Sequence, residues 1–361
     1  TMSRRLLSFA IVLLMVVSSI AVLASSGWTP QGTTDSQEVY KAHILTGTDN
    51  TWISDGASYS GIGTNWQNGS LSTGQNVWFT SAHVGACTWN NSLGVTSFGS
   101  FIIRSGAITI TQAASFSVTS YSQTAGTFTG STSYTLTDSG AFTLTNAGTS
   151  TNLYLIKTGD GSTILWSGGA NNVGILRISA NVAINTNWGP TINVLSGFIV
   201  DIGKTLTISS GLLLACQLYS GASLSILGTV AGSGGWKITL YNADFTVPIN
   251  AVNCPFEIQA VSAALANRVL TLSQPMTMTS TLTIDSAHAS NTITLDLSAS
   301  NYALSATDIT IGTRGILNGR GSVITASGSW DSSAGTFTPG TSSLHLTGTT
   351  KTLKTDGTSG F

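Results

Sequence analysis

The chain has 361 residues and a formal net charge of -1, and charged side chains make up only 7% of it, against roughly a quarter in an average soluble domain. With 13 basic and 14 acidic residues there is no field to gather phosphates, which removes electrostatic support for a nucleic-acid role. Hydrophobic residues reach 41%, outside the apolar-poor, highly charged regime of disordered chains, so a packed fold is expected with Ser, Thr, Asn and Gly supplying the polar surface.

Arg4 and Arg5 precede an uncharged apolar stretch over residues 6–23, and small residues follow at Ala24, Ser25 and Ser26. This is the layout of a secretory signal over residues 1–26, with small-residue cleavage sites after Ala24 or Ser26. The apolar run nearly reaches the ~20 residues that span a bilayer, so an uncleaved N-terminal anchor is the alternative. Both readings export the bulk of the chain to the secreted or cell-surface fraction, and any membrane contact is expected through this segment alone. Residues 27–46 read as a polar linker. Residues 47–100 hold Trp52, Trp66, Trp78 and Trp89 among longer Gly/Asn-rich turns, the pattern of an N-terminal β cap covering the exposed edge of a first strand.

From about Thr46 onward, short runs alternate apolar residues with Ser or Thr and close on Gly, Ser or Asn. Ala107-Ile108-Thr109-Ile110-Thr111, Phe142-Thr143-Leu144-Thr145, Leu206-Thr207-Ile208 and Ile293-Thr294-Leu295-Asp296-Leu297 are examples. Period-two alternation sends one set of side chains inward and the other outward, and the frequent breaks stop any helix from nucleating. Only residues 261–269 have a helical alternative. The chain is therefore all-β, and its two candidate architectures are a sandwich set and a parallel β-solenoid. Sandwich strands usually run longer and carry charged outer faces, whereas recurrent three- to five-residue strands with small turn residues suit a solenoid. Gly126-Thr127-Phe128-Thr129-Gly130 and Gly335-Thr336-Phe337-Thr338-Pro339-Gly340 recur as internal echoes. Coils of roughly 20 to 25 residues would put about eleven of them in residues 101–361, stacked over about 50 Å. Thr1 ahead of Met2 and an ending in mid-pattern at Phe361 read as a piece of a longer frame, truncated at its C-terminus.

Val269-Leu270-Thr271-Leu272, the run Met276-Thr277-Met278-Thr279-Ser280-Thr281-Leu282-Thr283-Ile284, and Gly328-Ser329-Trp330-Asp331 carry a resemblance. With Gly340-Thr341-Ser342-Ser343-Leu344-His345-Leu346 they resemble the repetitive secreted β-helix cell-surface proteins, adhesin-like, of bacteria and archaea. The resemblance covers under a third of the chain. It implies an extracellular solenoid rod and carries over no catalytic residue, and the anchoring signal frequent in that group is not visible here.

An enzyme on such a scaffold, a polysaccharide lyase or hydrolase, is the rival reading, and it needs convergent carboxylates or an acidic cluster beside a base. Glu38 and Glu257 are the only glutamates and no two aspartates adjoin. Arg177 and Asp201, 24 residues apart, can meet on neighbouring coils with Asp160 and Lys157 one coil earlier, and they read as outward side chains in a weak surface pair. His83 and Cys87 have the spacing of helical metal ligands, but Gly85 and the β context speak against a helix, so no metal and no cofactor is expected. Cys216, in an apolar run, reads as a small core residue, with a Cys216–Cys254 bridge as the alternative. Gly159-Asp160-Gly161-Ser162 reads as a tight turn, and Asn68 and Asn90 begin glycosylation-type triplets. The strongest binding candidates are the four cap tryptophans, as a carbohydrate-binding module, because flat indole faces stack on sugar rings; burial in the core of the cap is the blander alternative. The partners expected are extracellular polysaccharide or another cell surface.

Overall fold

The computed structural model describes residues 49–51, 72–79, 85–89, 95–104, 107–144, 149–166, 171–185, 191–261 and 266–355. The described residues all belong to one compact unit, Thr48–Phe361, and the signal and linker expectations lie outside them. Every strand pairing among the described residues is parallel, and the partners lie one coil apart: Phe101 pairs Tyr121, Tyr121 pairs Phe142, Phe142 pairs Ile164, and Ile164 pairs Ile184. The result is an all-β parallel solenoid of about 11 turns. Its strands form one ladder of 25 and two further ladders of 4 and 5 among the described residues.

The described strands within 47–100 continue these ladders. Asp49–Thr51 lies on Asn76–Phe79, which lies on Ser97–Ile103, and Gly85–Trp89 lies on Ile108–Gln112. The rest of the expected cap falls outside the described residues. Among the described residues there is no helix; in the stretch with a helical alternative, Arg268 and Val269 belong to the strand Arg268–Leu272.

Alternation explains the core. The strand Ile108–Gln112 buries Ile108, Ile110 and Gln112 and exposes Thr109 and Thr111, and Phe256–Ala260 repeats the pattern with Phe256, Ile258 and Ala260 inside. Because coils stack in register, inward residues form columns such as Leu136, Leu155, Leu176, Phe198 and Leu224. Each large apolar member contributes roughly 1.5 to 3 kcal/mol by leaving water, so few charges are needed to hold the column. Cys216 and Cys254 are buried free thiols, so Cys216 is the small core residue expected and no 216–254 bridge forms. Burial pushes the Cys216 thiol up to about 12, against a small opposing effect of the Trp236 indole N–H. At neutral pH it is a packing atom and not a nucleophile.

Turns between coils use side-chain grips. Arg320 adopts a left-handed backbone, φ 53°, and its guanidinium holds Asp296 of the previous coil by Nη2–Oδ2 at 2.6 Å and Nε–Oδ1 at 3.1 Å. Desolvation alone would raise Asp296; the Arg320, Ser298 and Asn318 hydrogen bonds outweigh it and hold the carboxyl below its usual value. A depressed acid contributes stability above its unfolded pKa of about 3.9 and loses it as pH falls through the lower folded value. The urea midpoint should therefore drop between about pH 4 and about pH 2, and drop less in Arg320→Ala. Identical acid dependence in the two proteins would show that the pair adds nothing.

Candidate functional site

The two described cap tryptophans, Trp78 and Trp89, do not form an open platform. Trp89 is 2% exposed, because it shares the inward phase of its strand with Cys87; its ring lies edge-on to Phe98 at 5.2 Å and Phe101 at 4.9 Å. A sugar cannot reach that face, which corrects its assignment as a stacking residue. Trp78 is half-buried, and the Arg104 guanidinium sits 5.1 Å from its ring centroid, occupying one face with a cation–π contact. Trp52, Trp66, His83 and both glycosylation-type triplets lie outside the described residues.

Arg177 and Asp201 do meet across 24 residues, at Nε–Oδ2 3.2 Å, with side chains 42% and 27% exposed. Asp201 also accepts the Ser179 hydroxyl at 2.6 Å. This is the outward surface pair expected. Asp160 caps the Asn181 amide at 2.7 Å and faces Lys204 at 3.8 Å. Lys157, grouped with them from spacing alone, instead turns inward to Asp138.

A shallow hollow near the end of the described chain is lined by Thr281, Asp308, Thr310, Asp331, Thr352 and Lys354. Its carboxylates are committed locally. Asp308 accepts the Ser329 amide at 2.6 Å, and Asp331 accepts the Ser333 hydroxyl and amide and pairs Lys354 at 3.4 Å. The Ser333 bonds, with the Lys354 charge, hold Asp331 below its usual value, so it stays an anion and not a proton donor.

The surface of the column carries a different chemistry, built coil by coil. Outward positions stack in register, so one side chain bonds the equivalent one a coil away: Ser100 to Ser120 at 2.9 Å, and Thr279 to Asn253 at 3.0 Å. The strands Ile108–Gln112 and Thr127–Thr129 set Thr109 over Thr127 and Thr111 over Thr129, with Thr88 in the second row. On another face, the Gln217 amide donates to Asn193 at 3.1 Å and its carbonyl accepts the Tyr241 hydroxyl at 3.3 Å. Tyr241 stacks on Tyr219 with ring centroids 4.3 Å apart, and Tyr219 is 39% exposed. Burial, with the neighbouring Tyr219 hydroxyl, pushes the Tyr241 phenol up to about 12, so that ring remains neutral. An aromatic pair beside an amide ladder can meet a hydroxyl-rich ligand by stacking and hydrogen bonds.

No family model, curated protein or solved structure matches this chain. The chemistry of its surfaces therefore rests on the residues themselves. Sequence reading missed the tyrosine pair; its signal was the recurrence of Tyr directly after an apolar strand, Gln217-Leu218-Tyr219 and Thr239-Leu240-Tyr241, one coil apart.

Proposed function

We propose that the chain is an extracellular structural or adhesive β-solenoid segment of a cell-surface protein, meeting polysaccharide or another surface through its uncharged outward ladders. The observation that carries this reading is the in-register stacking of outward Ser, Thr, Asn, Gln and Tyr side chains on a continuous column. Such a surface is periodic and neutral, and so matches a polymer of repeated hydroxyl groups better than a small charged substrate. The export-type segment over residues 1–26 and the likeness to secreted β-helix rods support the same location. The Tyr219–Tyr241 face, flanked by Asn193 and Gln217, is the place on the described surface where stacking and amide hydrogen bonds coincide.

Co-sedimentation of the full chain with insoluble extracellular polysaccharides, alongside fractionation of expressing cells, tests both halves of the reading. Retention is expected, released by soluble oligosaccharide and insensitive to salt, with the chain in the medium or on the cell surface. Tyr219→Ala combined with Tyr241→Ala should weaken retention about tenfold, the loss of roughly 1.4 kcal/mol of ring contact. A chain confined to the cytosol, or one indifferent to every polysaccharide and surface offered, sinks the proposal.

A further inference from the structure

Asp138 and Lys157 sit where the column should be hydrocarbon. They are direct cross-strand neighbours on successive coils, in the same inward column as Val118 below and Ile178 above. Both side chains are 0% exposed, and Lys157 Nζ lies 2.7 Å from Asp138 Oδ1. The Gly140 amide donates to the same Oδ1 at 2.9 Å, while the Gly140 carbonyl accepts from Lys157 Nζ. Asp138 Oδ2 has no hydrogen-bond partner. Gly140 itself is held in place, since a Cβ there would lie 2.2 Å from the Thr119 carbonyl oxygen.

Two charges at such a place are costly to desolvate, and their mutual attraction offsets this only when the remaining lone pairs are also satisfied. Here one carboxyl oxygen is not. Burial raises Asp138 and lowers Lys157, in each case against the opposing pull of the partner. Both displacements favour the neutral acid facing the neutral amine, which is the reactive form of the couple.

We propose that Lys157 and Asp138 condense into an intramolecular amide that staples two successive coils. The Nζ lone pair attacks Cγ of the protonated carboxyl, and the C–N bond forms. The charge that gathers on Oδ1 is met by the Gly140 N–H, as in an oxyanion hole with one donor. An Nζ proton passes to the Oδ2 hydroxyl, the Cγ–Oδ2 bond breaks, and one water leaves; no oxidant or co-reactant is consumed. In water this condensation is opposed because both groups ionise, whereas the apolar column suppresses ionisation and holds the two in contact. The product keeps what the reactants had. Its C=O still accepts from the Gly140 amide, its N–H still donates to the Gly140 carbonyl, and the atom expelled is the one with no partner.

The test is the mass of the purified full chain under denaturing conditions, compared with its sequence and with Lys157→Met and Asp138→Leu. The folded wild-type chain is expected to be lighter than its sequence by one water. Tryptic digestion should give a branched peptide joining the segments around 138 and 157, uncut after Lys157, and neither variant should show the loss or the branch. Folded wild-type chain at its full sequence mass, with linear peptides cleaved after Lys157, overturns the amide and leaves an ion pair. The wild-type measurement decides even if both variants fail to fold, and it is independent of where the chain acts or what it binds.

Discussion

Trp236→Ala is expected to lower the unfolding free energy by about 3–5 kcal/mol, the range for emptying a large aromatic site in a core. Trp236 is fully buried in the column Leu214, Trp236, Phe256, Leu282. Its ring stacks on Phe256 at 4.3 Å and meets Phe198 edge-on at 5.7 Å, and its N–H donates to Cys216 Sγ at 3.3 Å. Removing the indole empties one layer of a stack whose coils touch only their neighbours, so the damage should be local in sequence terms. Hydrogen exchange should speed up in Leu213–Leu218 and Phe256–Ala260. Ser343–Leu346, several coils away, should keep its protection. A loss under about 1 kcal/mol, or uniform deprotection, would show that the coils do not form the stacked column described.

The same alternation rule made much of the fold readable from residue types alone. A run such as Phe142-Thr143-Leu144 announces both its strand and its buried face, and a spacing of 24 residues was enough to pair Arg177 with Asp201. What failed was residue identity used without phase. Lys157 was grouped with the outward Arg177–Asp201 pair from coil spacing alone. Yet Leu153, Leu155 and Lys157 share one phase of a single strand, and Leu136 and Asp138 share one phase of another. Trp89 erred in the opposite direction, a ring assigned to a ligand although its phase with Cys87 points inward. The tyrosine face needed a further fact that alternation does not contain, namely how many residues each turn inserts before the next strand resumes register. Those insertions vary from coil to coil, as the 20-residue step from Phe101 to Tyr121 and the 24-residue step from Ile184 to Ile208 show.

Leu176→Asp should be the most damaging single exchange, and its pH dependence separates a buried acid from a simple cavity. Leu176 is 1% exposed between Leu155 and Phe198 in the apolar column beside the Asp138–Lys157 pair. Losing its side chain from the core costs about 1.5–3 kcal/mol, and burying a polar group with no partner adds about 2–7 kcal/mol, so the total should exceed about 4 kcal/mol. Desolvation raises the folded pKa of such a carboxyl above its unfolded value of about 3.9, so the unfolded state loses its proton first as pH rises. The penalty therefore grows with pH from about 4 upward until the folded value is passed, and it is smallest in acid. Leu176→Met, which keeps volume and hydrophobicity, should cost less than about 1.5 kcal/mol at every pH. Urea titrations of both variants at pH 4 and pH 7 distinguish the cases, and a Leu176→Asp protein as stable at pH 7 as at pH 4 would place residue 176 in contact with water. One column away, Asp138 has Lys157 and the Gly140 amide against its Oδ1, so it is the pair, and not the tolerance of the column, that admits an acid at that position.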